Sequence, residues 1–296
     1  MRKRYGNDCH FFVAMYQGTG DIYFECMYLE SFALDRGIHR FCLLVIGDAC
    51  KNVGMLYPNI VIEVITPEER NAITIYRCLS KDERIHLLHY DTPIFRENAF
   101  VNGYLRGFRE INFLDILWTV SFGNVNSLSA QKPQFNIQKA IKFCKENRLP
   151  AGRTIILSPF ATSMVLLPEK FWEQVVYLLK EKGFCVCTNC GIDENELEGT
   201  QKLVFEYSIS MPILNYCGYY IGLRSGFTDI ISGSTCKKVV LYPKNMKKGC
   251  GNSMACYSLV ALKLDSDALE YEFDETKKDD FKYYENFAEQ IVLNII

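Results

Sequence analysis

The sequence predicts an α/β protein of two halves, each built on a parallel sheet, that face a central cleft. Three observations carry this. Short apolar runs alternate with helical patterns, which implies parallel strands joined by right-handed crossovers. The 296 residues suit two domains of common size. A helix-breaking Leu149-Pro150-Ala151-Gly152 falls near the middle, and the alternation restarts after it.

The first half, residues 1–150, opens with a compact apolar run over 11–16, read as a buried strand. A glycine turn follows. Ile22, Cys26, Leu29 and Ala33 then fall at helical spacing, and Arg36-Gly37 supplies a basic last turn and a stop. Strands are expected over 41–46, 60–65 and 85–89. Thr66-Pro67-Glu68-Glu69 opens a helix, with a threonine cap, proline at the first position and acids for the helix dipole. From 91 to 134 the alternation blurs into a loop-and-helix insertion carrying Arg96, Arg106 and Arg109. A helix over 135–148 closes this half.

The second half, 151–280, repeats the pattern. Strands are expected over 154–157, 184–188, 219–223 and 238–242, and helices over 168–182, 212–217 and 227–234. In the longest of these helices Phe171, Val175, Leu178 and Leu179 share one face, and Gly183 ends it. The tail, 281–296, reads as an amphipathic helix free to cross back onto the first half. Ligands of such folds bind at the carboxyl ends of the strands, where the chain reverses direction across the sheet.

Bulk properties exclude several classes. With 49% hydrophobic and 23% charged residues the chain can bury a full core. A net charge of −2 argues against a nucleic-acid partner. No apolar stretch reaches the roughly 18 residues needed to span a bilayer, and no cleavage site follows the basic Arg2-Lys3-Arg4 start, so a cytoplasmic location is expected. Arginine and lysine patches leave a peripheral hold on the inner membrane face open. The 13 cysteines are odd in number and scattered, unlike a disulfide framework. Cys187 and Cys190 have CxxC spacing without a second pair, so a thiol role in the core is the simpler reading.

Four constellations bear chemistry. Gly18-Thr19-Gly20-Asp21 sits between the first strand and first helix, where glycines let a ligand approach and helix N–H groups favour anions. Tyr23 stands where a dinucleotide loop needs its third small residue, and no Gly-Lys-Ser/Thr triplet completes a P-loop. Asp21 is therefore either a general base for an acceptor hydroxyl or an acid that satisfies the helix end. Gly222-Leu223-Arg224-Ser225-Gly226 again joins a strand to a helix. There Ser225 caps, Gly226 admits a phosphate and Arg224 adds a forked, charged contact; the plainer account is an arginine paired with Asp229. Ser158 to Ser163 and Thr188-Asn189 end the preceding strands and offer hydroxyl and amide groups to a nucleotide sugar. Asp265-Ser266-Asp267 has the form of a metal-diphosphate DxD pair but lacks an oxygen-ligand cluster, so it reads as a solvated turn and no metal is expected.

In this order these pieces resemble the GT-B glycosyltransferases, whose architecture is two Rossmann-like domains facing a central cleft. They are most similar to the heptosyltransferase-like family nine of bacterial surface-polysaccharide synthesis. The resemblance rests on Gly18-Thr19-Gly20-Asp21, on Ser158-Pro159-Phe160-Ala161 leading to Leu167-Pro168-Glu169-Lys170-Phe171-Trp172, and on Ile221-Gly222-Leu223-Arg224-Ser225-Gly226 followed by Val239-Val240-Leu241-Tyr242-Pro243. It spans most of the chain outside 91–134. Val165 stands where the family has a phosphate-neutralising lysine, Arg224 replaces its aspartate and Asp229 its histidine.

The resemblance implies an inverting, metal-independent sugar transfer. Asp21 would be the base, and Ser158, Ser163, Thr188, Asn189, Arg224, Ser225 and Gly226 would hold the donor. Gly18, Thr19 and Gly20 would form the acceptor or phosphate turn, with Arg96, Arg106 and Arg109 on the acceptor side. The partners implied are a nucleotide-sugar donor, which is a co-substrate and not a cofactor, and a glycan or lipid-linked acceptor. A nucleotide-sugar epimerase and a catalytically silent sugar-binding or scaffold protein remain the alternatives.

Overall fold

The computed structural model describes residues 2–15, 18–88, 112–244, 253–277 and 279–296. They form two compact units. Among the described residues the first holds 2–88 and Phe113–Gln134, and the second holds Asn112 and Phe135–Ile296.

In the first unit a short helix α1 (Arg2–Tyr5) precedes strand β1 (His10–Ala14), helix α2 (Thr19–Asp35), β2 (Phe41–Val45), α3 (Asp48–Gly54), β3 (Val61–Val64), α4 (Pro67–Ser80), β4 (Ile85–Leu88) and α5 (Phe113–Phe122). The four strands pair in parallel in the order β3-β2-β1-β4. The Thr66 cap is realised as a reciprocal capping box with Glu69, which starts α4 where the sequence put it. Helix α2 buries Ile22, Tyr23, Phe24, Glu25, Cys26, Leu29, Phe32 and Ala33, more than one face. It is flanked by α3 and by α5, so an apolar surface wrapping most of the helix is satisfied by burial on several sides. Trp118 of α5 donates its indole N–H to Phe24 O at 3.1 Å. Residues 113–134 thus cover α2 and belong to the first unit.

The second unit runs α6 (Ile137–Glu146), β5 (Thr154–Ser158), α7 (Glu169–Glu181), β6 (Cys185–Asn189), β7 (Gln201–Leu203), α8 (Tyr207–Cys217), β8 (Gly218–Leu223), α9 (Gly226–Ile230), β9 (Lys237–Pro243), α10 (Ser253–Tyr257), β10 (Leu269–Phe273) and α11 (Phe281–Ile295). Its six strands are parallel, ordered β10-β9-β8-β5-β6-β7. Both faces of the sheet are covered, as parallel strands require. Ile155, Leu157, Ile221 and Leu223 pack with Phe171, Trp172 and Ile291 on one face, and Ile156 and Tyr220 with Cys144, Ile213 and Cys217 on the other.

Two expectations are corrected here. The boundary lies at 134/135, not at 150, because Ala140, Cys144 and Leu149 are buried in the second unit's core against Ile209, Ile213 and Leu214. The carboxyl-terminal helix belongs to the second unit: Tyr284, Phe287, Ile291 and Val292 of α11 join its core with α7. Strands β7 and β10 and helices α3 and α10, none longer than seven residues, are elements that the sequence pattern did not reveal.

Helix α8 begins at Tyr207, five residues before the proline expected to open it, and holds Pro212 inside. A proline there strips the bond to the carbonyl four residues back. The Asn136 N–H supplies the missing donor to Ser208 O at 2.7 Å. The helix stops at Gly218, whose φ of 95° suits glycine alone, and a Cβ there would also lie 3.1 Å from the backbone of Gly152.

Candidate functional site

In the first unit Gly18 is the N-cap of α2, and Asp21 lies in the first turn. The half-buried Asp21 carboxylate folds back over Gly18, where a Cβ would run into Asp21 Oδ2. Gly18 is exposed, Thr19 half-buried and Gly20 buried. This is the posture of an acid that stabilises a helix end, and it also leaves the carboxylate at the carboxyl end of β1.

One turn further, Glu25 is 1% exposed. Burial, and after it the charge of Asp21, pushes its carboxyl well above the usual carboxylate range. Cys50 of α3 completes the cluster; burial, then Asp21 and Glu25, push its thiol up to about 11. Sequence reasoning missed Glu25. The signal was a single acid inside the apolar stretch Ile22-Tyr23-Phe24-Glu25-Cys26. His10 and His86, 76 residues apart, meet with ring nitrogens 3.0 Å apart where β1 starts, at the end of the sheet opposite the glycine turn.

In the second unit the strand order reverses between β5 and β8, which pair in parallel from Thr154↔Gly218 to Ser158↔Gly222. Ser158 ends β5 and Asn189 ends β6, and the structure brings them together: Asn189 Nδ2 donates to Ser158 Oγ at 3.2 Å. Ser225 is the N-cap of α9 with extended backbone, Gly226 is the first helical residue, and the Ser225 N–H donates to Thr228 Oγ1 at 3.1 Å. Ser163 is exposed in the segment between β5 and α7.

Several expected roles are not what the fold allows. Arg224 is not a surface phosphate contact. It is 5% exposed and forks onto Asp229, with Nη2 2.6 Å from Oδ1 and Nη1 3.0 Å from Oδ2. Its remaining donors reach Ser225 O, Thr228 Oγ1 and Tyr257 O. Burial works against the guanidinium charge, yet the net push is upward, with the Asp229 carboxylate the leading group behind it. Thr188 does not face a ligand either. It is fully buried, 2.6 Å from Thr200 Oγ1, and its hydroxyl accepts from the Leu197 N–H, so it ties down the loop after β6. Of the Asp265-Ser266-Asp267 turn, Ser266 and Asp267 are exposed as expected, but the Asp265 side chain is buried in an ion pair, 2.9 Å from Lys238 Nζ. Cys187 and Cys190 are free and buried. Arg96, Arg106 and Arg109 lie outside the described residues. Among the described residues no group of three or more His, Cys, Asp or Glu is placed to hold a metal ion, and no helix is long and apolar enough to cross a membrane.

Two units of parallel α/β structure, with polar groups gathered where the strands end, define a class: this is the fold of the GT-B glycosyltransferases in its heptosyltransferase-like form. The solved structure of the Escherichia coli ADP-heptose lipopolysaccharide heptosyltransferase II matches with TM-score 0.59 at 12% identity, over 95% of this chain and 99% of that one. A glycosyl transferase of family 9 from Veillonella parvula DSM 2008 matches with TM-score 0.56 at 13% identity, over 96% and 94%. The iron-containing dodecameric glycosyltransferase TibC from enterotoxigenic E. coli matches with TM-score 0.52 at 13% identity, over 97% and 78%. No family model and no curated protein matches the chain.

Proposed function

We propose that the chain is a glycosyltransferase that moves a sugar from a nucleotide-sugar donor to a hydroxyl of a glycan or lipid-linked acceptor, with inversion and without a metal. The observation that carries this reading is the Ser158–Asn189 pair at the carboxyl ends of β5 and β6, beside the point where the strand order reverses. Ser158 and Asn189 bind the donor there, Ser225 and Gly226 approach its diphosphate through the backbone of their turn, and Ser163 lies on the donor side. Arg224 serves only by holding that turn. Asp21 takes the proton of the acceptor hydroxyl. The oxygen then attacks the anomeric carbon, and the bond to the diphosphate oxygen breaks with its electron pair on the leaving nucleotide. Thr19 and Gly20 flank the acceptor with Arg96, Arg106 and Arg109. The reading places the chain in the cytoplasm, beside an inner membrane face that carries a lipid-linked acceptor.

Asp21→Asn tests the base. It keeps size and most hydrogen bonding but removes the basic site, so turnover should fall about 10²–10⁴-fold while donor binding survives. Near-normal turnover would remove Asp21 from the chemistry. Activity should also persist in EDTA; loss that iron, magnesium or manganese restores would end the metal-free reading. A second reading, a sugar-binding protein without turnover, is favoured by the Asp21 carboxylate lying over Gly18. It predicts donor binding by the wild-type chain and no transfer to any acceptor.

A further inference from the structure

The ends of β5 and β8 hold one more buried polar group. Tyr220 of β8 is fully buried, and it lies two residues before Gly222 on the same face of the strand. Because Gly222 has no side chain, the phenol runs along the strand towards its carboxyl end. A Cβ at Gly222 would run into Tyr220 Oη, and would lie 2.6 Å from its Cζ and 2.9 Å from Ser158 Cβ. The hydroxyl therefore ends beside Ser158, which pairs with Gly222 across the ladder. It is a buried oxygen without a well-formed hydrogen bond among the described residues. Burial pushes the phenol up, and Ser158 is the first group to act the other way. A poorly paired buried hydroxyl destabilises the fold, so its presence calls for a reason.

The reason lies in the arithmetic of Ser158. A serine hydroxyl has two lone pairs and one proton. Asn189 Nδ2 already occupies one lone pair. If the Tyr220 O–H takes the other, the serine proton is left to point away from both. We propose that Tyr220 is a positioning residue: with the donor bound, its hydroxyl donates to Ser158 Oγ, so that Ser158 turns its own proton onto a diphosphate oxygen of the nucleotide. A phosphate oxygen only accepts hydrogen bonds, and a hydroxyl locked as a donor suits it. The inference deepens the proposed donor site and rests on that reading.

Tyr220→Phe removes the hydroxyl and keeps the ring. The probes are ADP and UDP, titrated calorimetrically into the full chain, alongside the thermal midpoint without ligand. For Tyr220→Phe the midpoint should hold or rise, because a poorly paired buried oxygen is gone. The dissociation constant of the bound diphosphate should rise about two- to tenfold, the span of one net hydrogen bond. In a Ser158→Ala background the same change should have no further effect, since the two residues act through one hydroxyl. Unchanged affinity in Tyr220→Phe, or an undiminished loss in the Ser158→Ala background, would overturn the inference alone. If the wild-type chain bound neither diphosphate, the donor reading would fall and the inference with it.

Discussion

Two strand–turn–helix corners carry the candidate chemistry, and they dispose of their charge in opposite ways. At the end of β1 the charged residue comes after the turn: Asp21 sits in the first turn of a 17-residue helix, half-buried, its carboxylate over Gly18. At the end of β8 it comes before the turn: Arg224 leaves the strand and is drawn inward onto Asp229. Helix α9 is only five residues long, so Asp229 near its far end remains within reach of an arginine at its start. A carboxylate on an accessible helix end adds only about 0.3–1 kcal/mol. A buried fork whose Nε, Nη1 and Nη2 all donate hydrogen bonds is a structural member. At the second corner, then, the nearest counter-charge commits the arginine to the fold.

The comparison can be broken at three points. The largest effect is expected at Arg224. Arg224→Ala leaves Asp229 buried and uncompensated, at a cost of about 3–5 kcal/mol in urea unfolding. The double replacement Arg224→Met with Asp229→Leu should recover most of it. A single-variant loss below about 1 kcal/mol would put the arginine back at the surface and revive its phosphate role.

Next come the two tight glycines. Gly222→Ala meets the Tyr220 phenol, a ring with no exposed surface to turn into, so overpacking of about 1–3 kcal/mol is expected in the thermal midpoint. Gly18→Ala meets only the end of a half-buried side chain. The carboxylate can swing aside, and the stability loss should stay below about 1 kcal/mol. Turnover is the sharper measure there: moving a base by about 1 Å costs on the order of 10²-fold. Equal stability losses at the two glycines would mean that the Tyr220 ring is as free to move as Asp21.

The sequence by itself determined the periodic features. Strands β1, β2, β5, β8 and β9 and helices α2, α4 and α7 lie within a few residues of where the apolar runs and caps put them, because hydrophobic period and cap chemistry act over one or two turns of chain. The glycine turns and the polar ends of β5 and β6 were legible for the same reason. What only the tertiary structure decided was where each polar side chain points. Arg224 and Asp229 are five residues apart, and the sequence favoured a ligand role for the arginine over that pairing; Thr188 needs Thr200 from the next strand region, and Lys238 needs Asp265. The joining of Ser158 to Asn189, and the phenol of Tyr220 beside them, comes from strands brought side by side by the sheet order. The domain boundary moved for the same cause: α6 follows the first half in the chain, but the apolar partners that bury Ala140 and Cys144 belong to the second. Local propensity fixes what an element is, while its partners, and so the fate of its charges, are set by contacts between residues far apart in the chain.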